Sequence, residues 1–183
     1  MQSRGVCHRD LSLENILVHG DKALLIDMGM CLRIPYSDPM NPECITDVGS
    51  GTLRRLMKPD GVCGKHNYMS PEVFANNEPF DGFAVDLWSA GVILYIMLTG
   101  FPPYDQATLA DERFEVIVTG RLVEQLEEWG VILSEEVGEL LQNMLRQDPR
   151  DRLTLEQVMH HPWVLRDEVE LPRRRTMPWN NTN

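Results

Sequence analysis

The amino-acid sequence predicts an α+β domain that is mainly helical and contains one small β-hairpin. Two short apolar runs, residues 16–18 and 23–26, flank a turn-forming segment at 19–22, and this arrangement is typical of a hairpin. The second half of the chain instead has apolar residues at helical spacing. Because an isolated hairpin is at best marginally stable in water, the helices must supply the core.

Four helices are predicted from residue 84 onwards, each from a start or stop signal. Before them, residues 35–66 are rich in Pro, Gly, Ser, Thr and Asp and are predicted to form a long loop, which in a compact domain is usually functional or disordered. We expect the tail over residues 166–183 to be flexible. The predicted helices are an apolar one over 84–99 that ends at Gly100, one capped by Thr108 and Asp111 that ends near Gly120, one that opens at Ser134 and ends at Asp148, and a short one with a capping box at Thr154 and Gln157.

The composition excludes several classes of protein. The chain has 183 residues, and 17 Lys and Arg against 28 Asp and Glu give a net charge of −11. This length supports one domain with a sizeable core. The negative charge argues against nucleic acid or an anionic membrane as the main partner. The most apolar stretch, residues 87–98, is shorter than the ~20 residues that span a bilayer, and is predicted to be a buried helix.

The cysteines and the N-terminus favour an intracellular protein. Cys7, Cys31, Cys44 and Cys63 are irregularly spaced and form no CxxC pair, so neither a zinc site nor a disulfide framework is predicted. Reduced thiols are typical of intracellular proteins. The first residues contain no apolar run, and no signal peptide is expected. The sequence therefore predicts a cytoplasmic or nuclear location.

Four short motifs follow one another along the chain. The first is His8-Arg9-Asp10-Leu11, followed after three residues by Asn15, and it matches the pattern H-R-D-L-x-x-x-N. Four motifs in a set order are far more specific than any one of them. The other three are Asp27-Met28-Gly29, Tyr68-Met69-Ser70-Pro71-Glu72 and Asp86-Leu87-Trp88-Ser89-Ala90-Gly91.

The predicted hairpin brings two of these motifs together. Asn15 immediately precedes the first strand and Asp27 immediately follows the second, so antiparallel pairing should place their Cα atoms about 5 Å apart. An amide oxygen and a carboxylate then converge on one point, and such hard oxygen ligands suit Mg²⁺. The alternative is that both residues flank a turn and bond only to local backbone.

With these motifs, residues 1–165 resemble the larger, mostly helical C-terminal lobe of the eukaryotic protein kinase fold, with the hairpin at its catalytic site. The resemblance implies transfer of the γ-phosphoryl group of ATP to a hydroxyl group of a protein substrate, Ser or Thr rather than Tyr. Asp10 would be the catalytic base. Asp27 would link Mg²⁺ to the β- and γ-phosphates, and Asn15 would hold a second Mg²⁺.

Further nucleotide-binding residues are implied by the same resemblance. Leu17 would form the floor under adenine, supported by Ile93 and Met97. Glu14 is also among the implied nucleotide-binding residues, and it occupies the position where some kinases bind a basic residue of the substrate.

Supporting roles are implied for residues around these. Arg9 would pair with a phosphate on the activation loop. Because residues 56–66 contain no Ser, Thr or Tyr, Asp60 could offer a fixed negative charge there, although a simple Asp-Gly turn is the alternative. Three more expectations concern the scaffold: His8 lies in the catalytic loop, Asp86 should bond the backbone around His8 and Arg9, and Glu72 should form a buried ion pair with Arg152.

Two positions depart from the pattern of the family. Ser12 stands where Ser/Thr kinases usually carry a lysine that neutralises the γ-phosphate. Lys65 replaces a threonine that normally meets the catalytic aspartate. We predict a swap in which the Lys65 ammonium returns the charge that Ser12 lacks. The alternative is a solvated loop lysine and a weakened enzyme.

The smaller lobe of the family is absent from this sequence. No Gly-rich phosphate loop and no Val-Ala-Ile-Lys strand precede residue 8. One interpretation is therefore an incomplete domain of an active kinase that uses ATP and Mg²⁺. The alternative is a catalytically inactive, kinase-like binding or scaffold module. A regulatory protein partner is a further expectation.

Overall fold

A computed structural model describes residues 1–34, 56–59, 61–166 and 172–174, together with the backbone of residues 46–47 and 53–54. The described residues form a helical body and a few very small sheets. The longest helix, α2, lies at the centre and contacts both α5 and β1. The helices are α1 (Pro71–Ala75), α2 (Gly82–Thr99), α3 (Glu112–Val118), α4 (Leu122–Glu128), α5 (Glu135–Met144) and α6 (Leu155–Met159).

Four antiparallel sheets of two strands each accompany the described helices. The described residues also include short 3-10 segments of a single turn. Two of these segments, Leu13–Asn15 and His66–Tyr68, overlap the first and the third sequence motif. The strand pairs are β1 (Val6–Cys7) with β4 (Leu32–Arg33), β2 (Ile16–His19) with β3 (Lys22–Leu25), β5 (Thr46–Asp47) with β6 (Leu53–Arg54), and β7 (Val131–Ile132) with β8 (Arg173–Arg174).

Helix α2 is the core element of the fold. At its N-terminus the Asp81 carboxylate accepts a hydrogen bond from the Phe83 backbone N–H at 3.0 Å. It ends where Gly100 takes the left-handed conformation, with φ of +85°. The helix is apolar all round, and 78% of it is buried. Length and composition alone would let it cross a membrane, but a buried core helix passes the same test.

Aromatic residues fasten the neighbouring segments to α2. The buried Trp88 indole N–H donates to the Tyr104 hydroxyl oxygen at 2.6 Å. The Tyr104 hydroxyl in turn donates to the Met69 carbonyl at 2.8 Å. The Phe114 ring on α3 meets the Tyr104 ring edge-on, with centroids 5.4 Å apart. These contacts join α2, α3 and the segment before α1 into one core.

A glycine allows the N-terminal strand to approach α2. A Cβ atom added at Gly82 would lie 2.7 Å from the Cys7 Sγ atom. No side chain fits there, so β1 can lie directly against the first turn of α2.

The expected buried ion pair is present. The Arg152 guanidinium donates to both carboxylate oxygens of Glu72, at 2.8 and 3.1 Å. It also donates to the Ala84 carbonyl at 2.6 Å and lies over the Trp88 ring at 5.0 Å. The Arg152 side chain is completely buried. Bidentate geometry and extra carbonyl acceptors offset the desolvation of its charge.

The main predictions of the fold are confirmed, with corrected boundaries. Helix α2 begins two residues before the predicted 84–99, and α6 has the predicted capping box at Thr154 and Gln157. Helix α3 is capped by Asp111 alone, and α5 ends at Met144 rather than near Asp148. The hairpin strands are Ile16–His19 and Lys22–Leu25.

Several elements were not predicted from the sequence. Helices α1 and α4 are five and seven residues long, too short to show a clear apolar period. The other three sheets have strands of only two residues. One of them uses Arg173–Arg174, so this part of the tail expected to be flexible pairs with β7. Most of the predicted loop over 35–66 lies outside the described residues.

Substitution of Arg152 should destabilise the fold strongly. In Arg152→Met the Glu72 carboxylate keeps a largely buried charge without its partner, and we expect a loss of about 3–5 kcal/mol in the free energy of unfolding. Urea denaturation measures it. Arg150→Met is the matched control, because Arg150 forms an exposed pair with Asp148. Equal shifts of the urea midpoint in both variants would contradict a structural role of the Glu72 pair.

Candidate active site

The first motif is held in place by the central helix. The Asp86 carboxylate accepts hydrogen bonds from the backbone N–H groups of His8, at 2.7 Å, and Arg9, at 2.8 Å. These are the bonds expected from the sequence. They stabilise a left-handed conformation of Arg9, whose φ of +67° is uncommon for a residue other than glycine. The loop that carries Asp10 is therefore anchored to α2.

Burial shapes the electrostatics of this anchor. Desolvation raises the pKa of Asp86 to about 6, although the two backbone donors act in the opposite direction. A buried carboxylate is tolerated because both of its oxygens are hydrogen-bonded.

The buried His8 ring links the loop to the hairpin. Its Nδ1 atom lies 3.3 Å from the Asp10 backbone N–H, which can only donate, so Nδ1 accepts. The proton of a neutral ring then sits on Nε2, which donates to the Ile26 carbonyl at 3.0 Å. His8 thus ties the residue before Asp27 to the residues around Asp10.

Asp10 and Asn15 are in direct contact. The buried Asn15 side chain donates from Nδ2 to the Asp10 carbonyl at 2.8 Å and to the Asp10 carboxylate at 3.2 Å. These bonds orient the Asp10 side chain. They engage the nitrogen of the amide and leave its oxygen, Oδ1, for another ligand.

Asp27 lies at the same end of the hairpin, but one residue further on than predicted. Strand β3 ends at Leu25, and the Ile26 N–H donates to the Asn15 carbonyl at 3.0 Å, so Ile26 rather than Asp27 is opposite Asn15. Asp27 is exposed and has a φ of +60°. Its carboxylate faces the Gly29 N–H at 3.4 Å, a weak contact that leaves it available.

The oxygen atoms of Asp27 and Asn15 suit a magnesium ion. Within the described parts of the chain, no group of three or more His, Cys, Asp or Glu residues could hold a metal ion. A Mg²⁺ site does not need such a group, because this ion is usually held by one or two carboxylates together with substrate phosphates.

The remaining nucleotide-binding candidates lie on an apolar surface. Leu17 is opposite Leu24 in the hairpin, so the two side chains share a face, and both are more than half exposed. Ile93 is buried on α2, whereas Met97 is 66% exposed. Leu17 is not part of the core, and its role under adenine stays a prediction.

Lys65 reaches the loop that carries Asp10 and Ser12. Its backbone N–H donates to the Asp10 carboxylate at 3.3 Å. Its ammonium donates to the Ser12 hydroxyl at 2.7 Å and lies 3.7 Å from the Glu14 carboxylate. The ammonium thus contacts Ser12, whose missing charge it is predicted to replace, and also Glu14; the swap itself stays a prediction.

Arg9 points away from these groups. Its guanidinium lies 5.9 Å from the centre of the Phe80 ring, and its buried Nε atom has no hydrogen-bond partner among the described residues. Sequence reasoning missed Phe80, which pairs through its backbone with Met57. A lone Phe in a loop carries no signal for this contact. Asp60, the proposed partner of Arg9, lies outside the described residues.

The fold and the site together define a protein kinase domain. The family model for the protein kinase domain matches residues 1–164, and the chain belongs to this family. Serine/threonine-protein kinase DCLK3 of Mus musculus is 34% identical over 166 residues, which are 90% of this chain and 18% of that protein.

Two other relatives show the same relationship. Serine/threonine-protein kinase CHK1 of Mycosarcoma maydis is 34% identical over 91% of this chain and 22% of its own length. Calcium-dependent protein kinase 1 of Oryza sativa subsp. japonica is 36% identical over 93% of this chain and 29% of its own length. The chain thus spans less than a third of these curated relatives.

Asp86 should make the stability of the fold depend on pH. Because its pKa is raised from 3.8 to about 6, its contribution is fully present below pH 4 and is lost as the pH rises through 6. Relative to Asp86→Asn, we expect the parent to lose roughly 2 kcal/mol of unfolding free energy from pH 4 to pH 7.

Urea denaturation of both proteins at the two pH values measures this difference. Asp21→Asn, in the exposed hairpin turn, is the control for the loss of one carboxylate. A difference between parent and Asp86→Asn that does not change with pH would show that Asp86 is already ionised at pH 4 in the folded state.

Proposed function

We propose that the protein is a serine/threonine kinase that transfers the γ-phosphoryl group of ATP to a hydroxyl group of a protein substrate. The observation that carries this proposal is the hydrogen-bonded pair of Asp10 and Asn15 at the end of the hairpin that leads to Asp27. A module that only binds partners has no chemical need for these three side chains together. All three relatives described above are named as Ser/Thr or calcium-dependent protein kinases.

Asp10 would act as the base. Hydrogen bonds from Asn15 and from the Lys65 backbone hold its two carboxylate oxygens, so the side chain is oriented before a substrate arrives. A carboxylate is a weak base, and most of the rate enhancement must therefore come from positioning and charge neutralisation.

Asp27 and the Asn15 Oδ1 atom would hold Mg²⁺. When bound, the ion supplies positive charge to the phosphate oxygens. Asp27 suits this role because it is exposed and only weakly bonded within the protein.

The exposed hairpin supports the view that this chain supplies the larger lobe of an incomplete domain. Leu17 and Leu24, which share one face of the hairpin, are each more than half exposed, and an exposed apolar surface of this kind marks a place that another group covers. We propose that the nucleotide binds against it and that another part of the protein completes the site.

The location and partners follow from the same proposal. We propose an intracellular protein, cytoplasmic or nuclear, that acts on protein substrates, answers to a regulatory protein partner, and binds neither nucleic acid nor membrane. The net charge of −11 supports the last two statements.

Removal of the Asp10 carboxylate should slow catalysis severely. In the full natural protein that contains this chain, Asp10→Asn should lower kcat about 10²–10⁴-fold, because the amide cannot accept the proton. The assay follows transfer of labelled phosphate from Mg·ATP to peptides that contain Ser, Thr or Tyr. Asp21→Asn should keep the parental rate. Unchanged activity in Asp10→Asn, or labelling of the Tyr peptide alone, would contradict the proposal.

Mg·ATP should stabilise the same protein against heat. At about 100 times Kd, binding contributes about 2.7 kcal/mol, which raises Tm by roughly 5–10 °C for a domain of this size. Asp27→Asn or chelation of Mg²⁺ should remove the shift. If the parent shows neither a shift nor phosphotransfer, the protein is the inactive binding module instead.

A further inference from the structure

The Lys65 side chain brings a positive charge to the loop that carries Asp10. The Lys65 ammonium is hydrogen-bonded to the Ser12 hydroxyl, two residues from Asp10, and the Lys65 backbone is hydrogen-bonded to Asp10 itself. Lys65 is therefore held at two points, by residues 53 and 55 positions away in the chain. Such a double attachment is more than a solvated surface lysine would show.

Gly64 allows the backbone before Lys65 to lie close to Arg9 and Asp10. Gly64 has a φ of +91°, and a Cβ atom there would lie 3.0 Å from the Arg9 carbonyl and 3.4 Å from the Asp10 carboxylate. Both the conformation and the space require glycine. The position from which the Lys65 side chain starts is thus determined by close packing on the catalytic loop.

Arg9 and the other two described lysines do not bring a positive charge to Asp10 and Ser12. The Arg9 guanidinium is turned towards Phe80. Lys22 lies in the hairpin turn and Lys58 is exposed, and among the described contacts no hydrogen bond or ion pair joins either lysine to residues 10–15. Lys65 is the described lysine that contacts the catalytic loop.

The neighbours of the Lys65 ammonium do not use all of its hydrogen-bond donors. An ammonium has three N–H donors, and Ser12 accepts one of them. The Glu14 carboxylate lies 3.7 Å from the Lys65 ammonium. Hydrogen bonds from the backbone N–H of Glu14 and from Ser12, together with the Lys65 charge, lower the pKa of this carboxylate. The Glu14 side chain is 62% exposed, so water screens the pair. The ammonium keeps a donor for an incoming phosphate oxygen.

We infer that Lys65 is a catalytic residue that neutralises the phosphoryl group during its transfer; this inference rests on the proposed function. The oxygen of the substrate hydroxyl forms a bond to the γ-phosphorus, and its proton passes to the Asp10 carboxylate. The bond from the γ-phosphorus to the bridging oxygen breaks, and the nucleoside diphosphate keeps the electron pair. Lys65 keeps its proton and donates to the oxygen atoms of the group in transit, on which negative charge is spread.

Kinetics of the full natural protein test the inference. Lys65→Met should lower kcat about 10²–10³-fold with little change in the KM for ATP. Lys65→Arg should retain more activity than Lys65→Met, since it keeps the charge. Lys58→Met, the matched control in the same segment, should keep the parental kcat and KM.

A double substitution separates charge from tethering. Ser12→Lys with Lys65→Thr removes the contacts of the Lys65 ammonium with Ser12 and Glu14 but restores an ammonium on the loop that carries Asp10. We expect it to recover kcat to within about tenfold of the parent. If the double variant is as inactive as Lys65→Met, Lys65 acts by joining the two segments, and the inference is wrong.

The remaining outcomes are equally distinct. A kcat of Lys65→Met close to that of an active parent overturns this inference and leaves the proposed function standing. A parent with no phosphotransfer at all overturns both. Thermal melting of each variant verifies that the differences arise in the folded protein.

Discussion

The site depends on one buried carboxylate. Asp86 accepts two backbone N–H groups from consecutive residues, His8 and Arg9, and in doing so holds Arg9 in a left-handed conformation. A conformation of this kind costs about 1–3 kcal/mol and persists only where the surroundings impose it. Because Asp10 follows directly, the position of the candidate base is determined by a side chain of the core helix that lies 76 residues away in the sequence.

The same helix also holds the segment around Tyr68 and Met69, which follows Lys65 in the chain. One turn after Asp86, the Ser89 hydroxyl donates to the Tyr68 carbonyl at 2.9 Å, and Trp88 acts through Tyr104 on the Met69 carbonyl. Helix α2 thus positions both the catalytic loop and the segment that brings Lys65 to it. The supporting groups are buried and hydrogen-bonded, whereas Asp27, which would meet the phosphates, is exposed. The buried groups can therefore hold the site rigid while Asp27 stays accessible to a ligand.

Much of the fold was predictable because local signals determine it. The apolar run of α2, the Asp111 cap and the capping box at Thr154 are properties of neighbouring residues, and each appears close to its expected place. The two-residue sheets were not predictable. Val6–Cys7 pairs with Leu32–Arg33, and Val131–Ile132 with Arg173–Arg174, and such short strands form only where the tertiary fold brings distant backbone together.

The motifs of the sequence by themselves determined the family, the candidate residues Asp10, Asn15 and Asp27, and two partnerships that the structure contains, those of Asp86 and of Glu72 with Arg152. The tertiary structure alone decided the exact contacts. It places Ile26 rather than Asp27 opposite Asn15, and it directs the Lys65 ammonium to Ser12 and Glu14. A sequence motif specifies which groups are present and in which order. The distances between their atoms depend on where the buried helix and its hydrogen bonds place segments that are far apart in the chain.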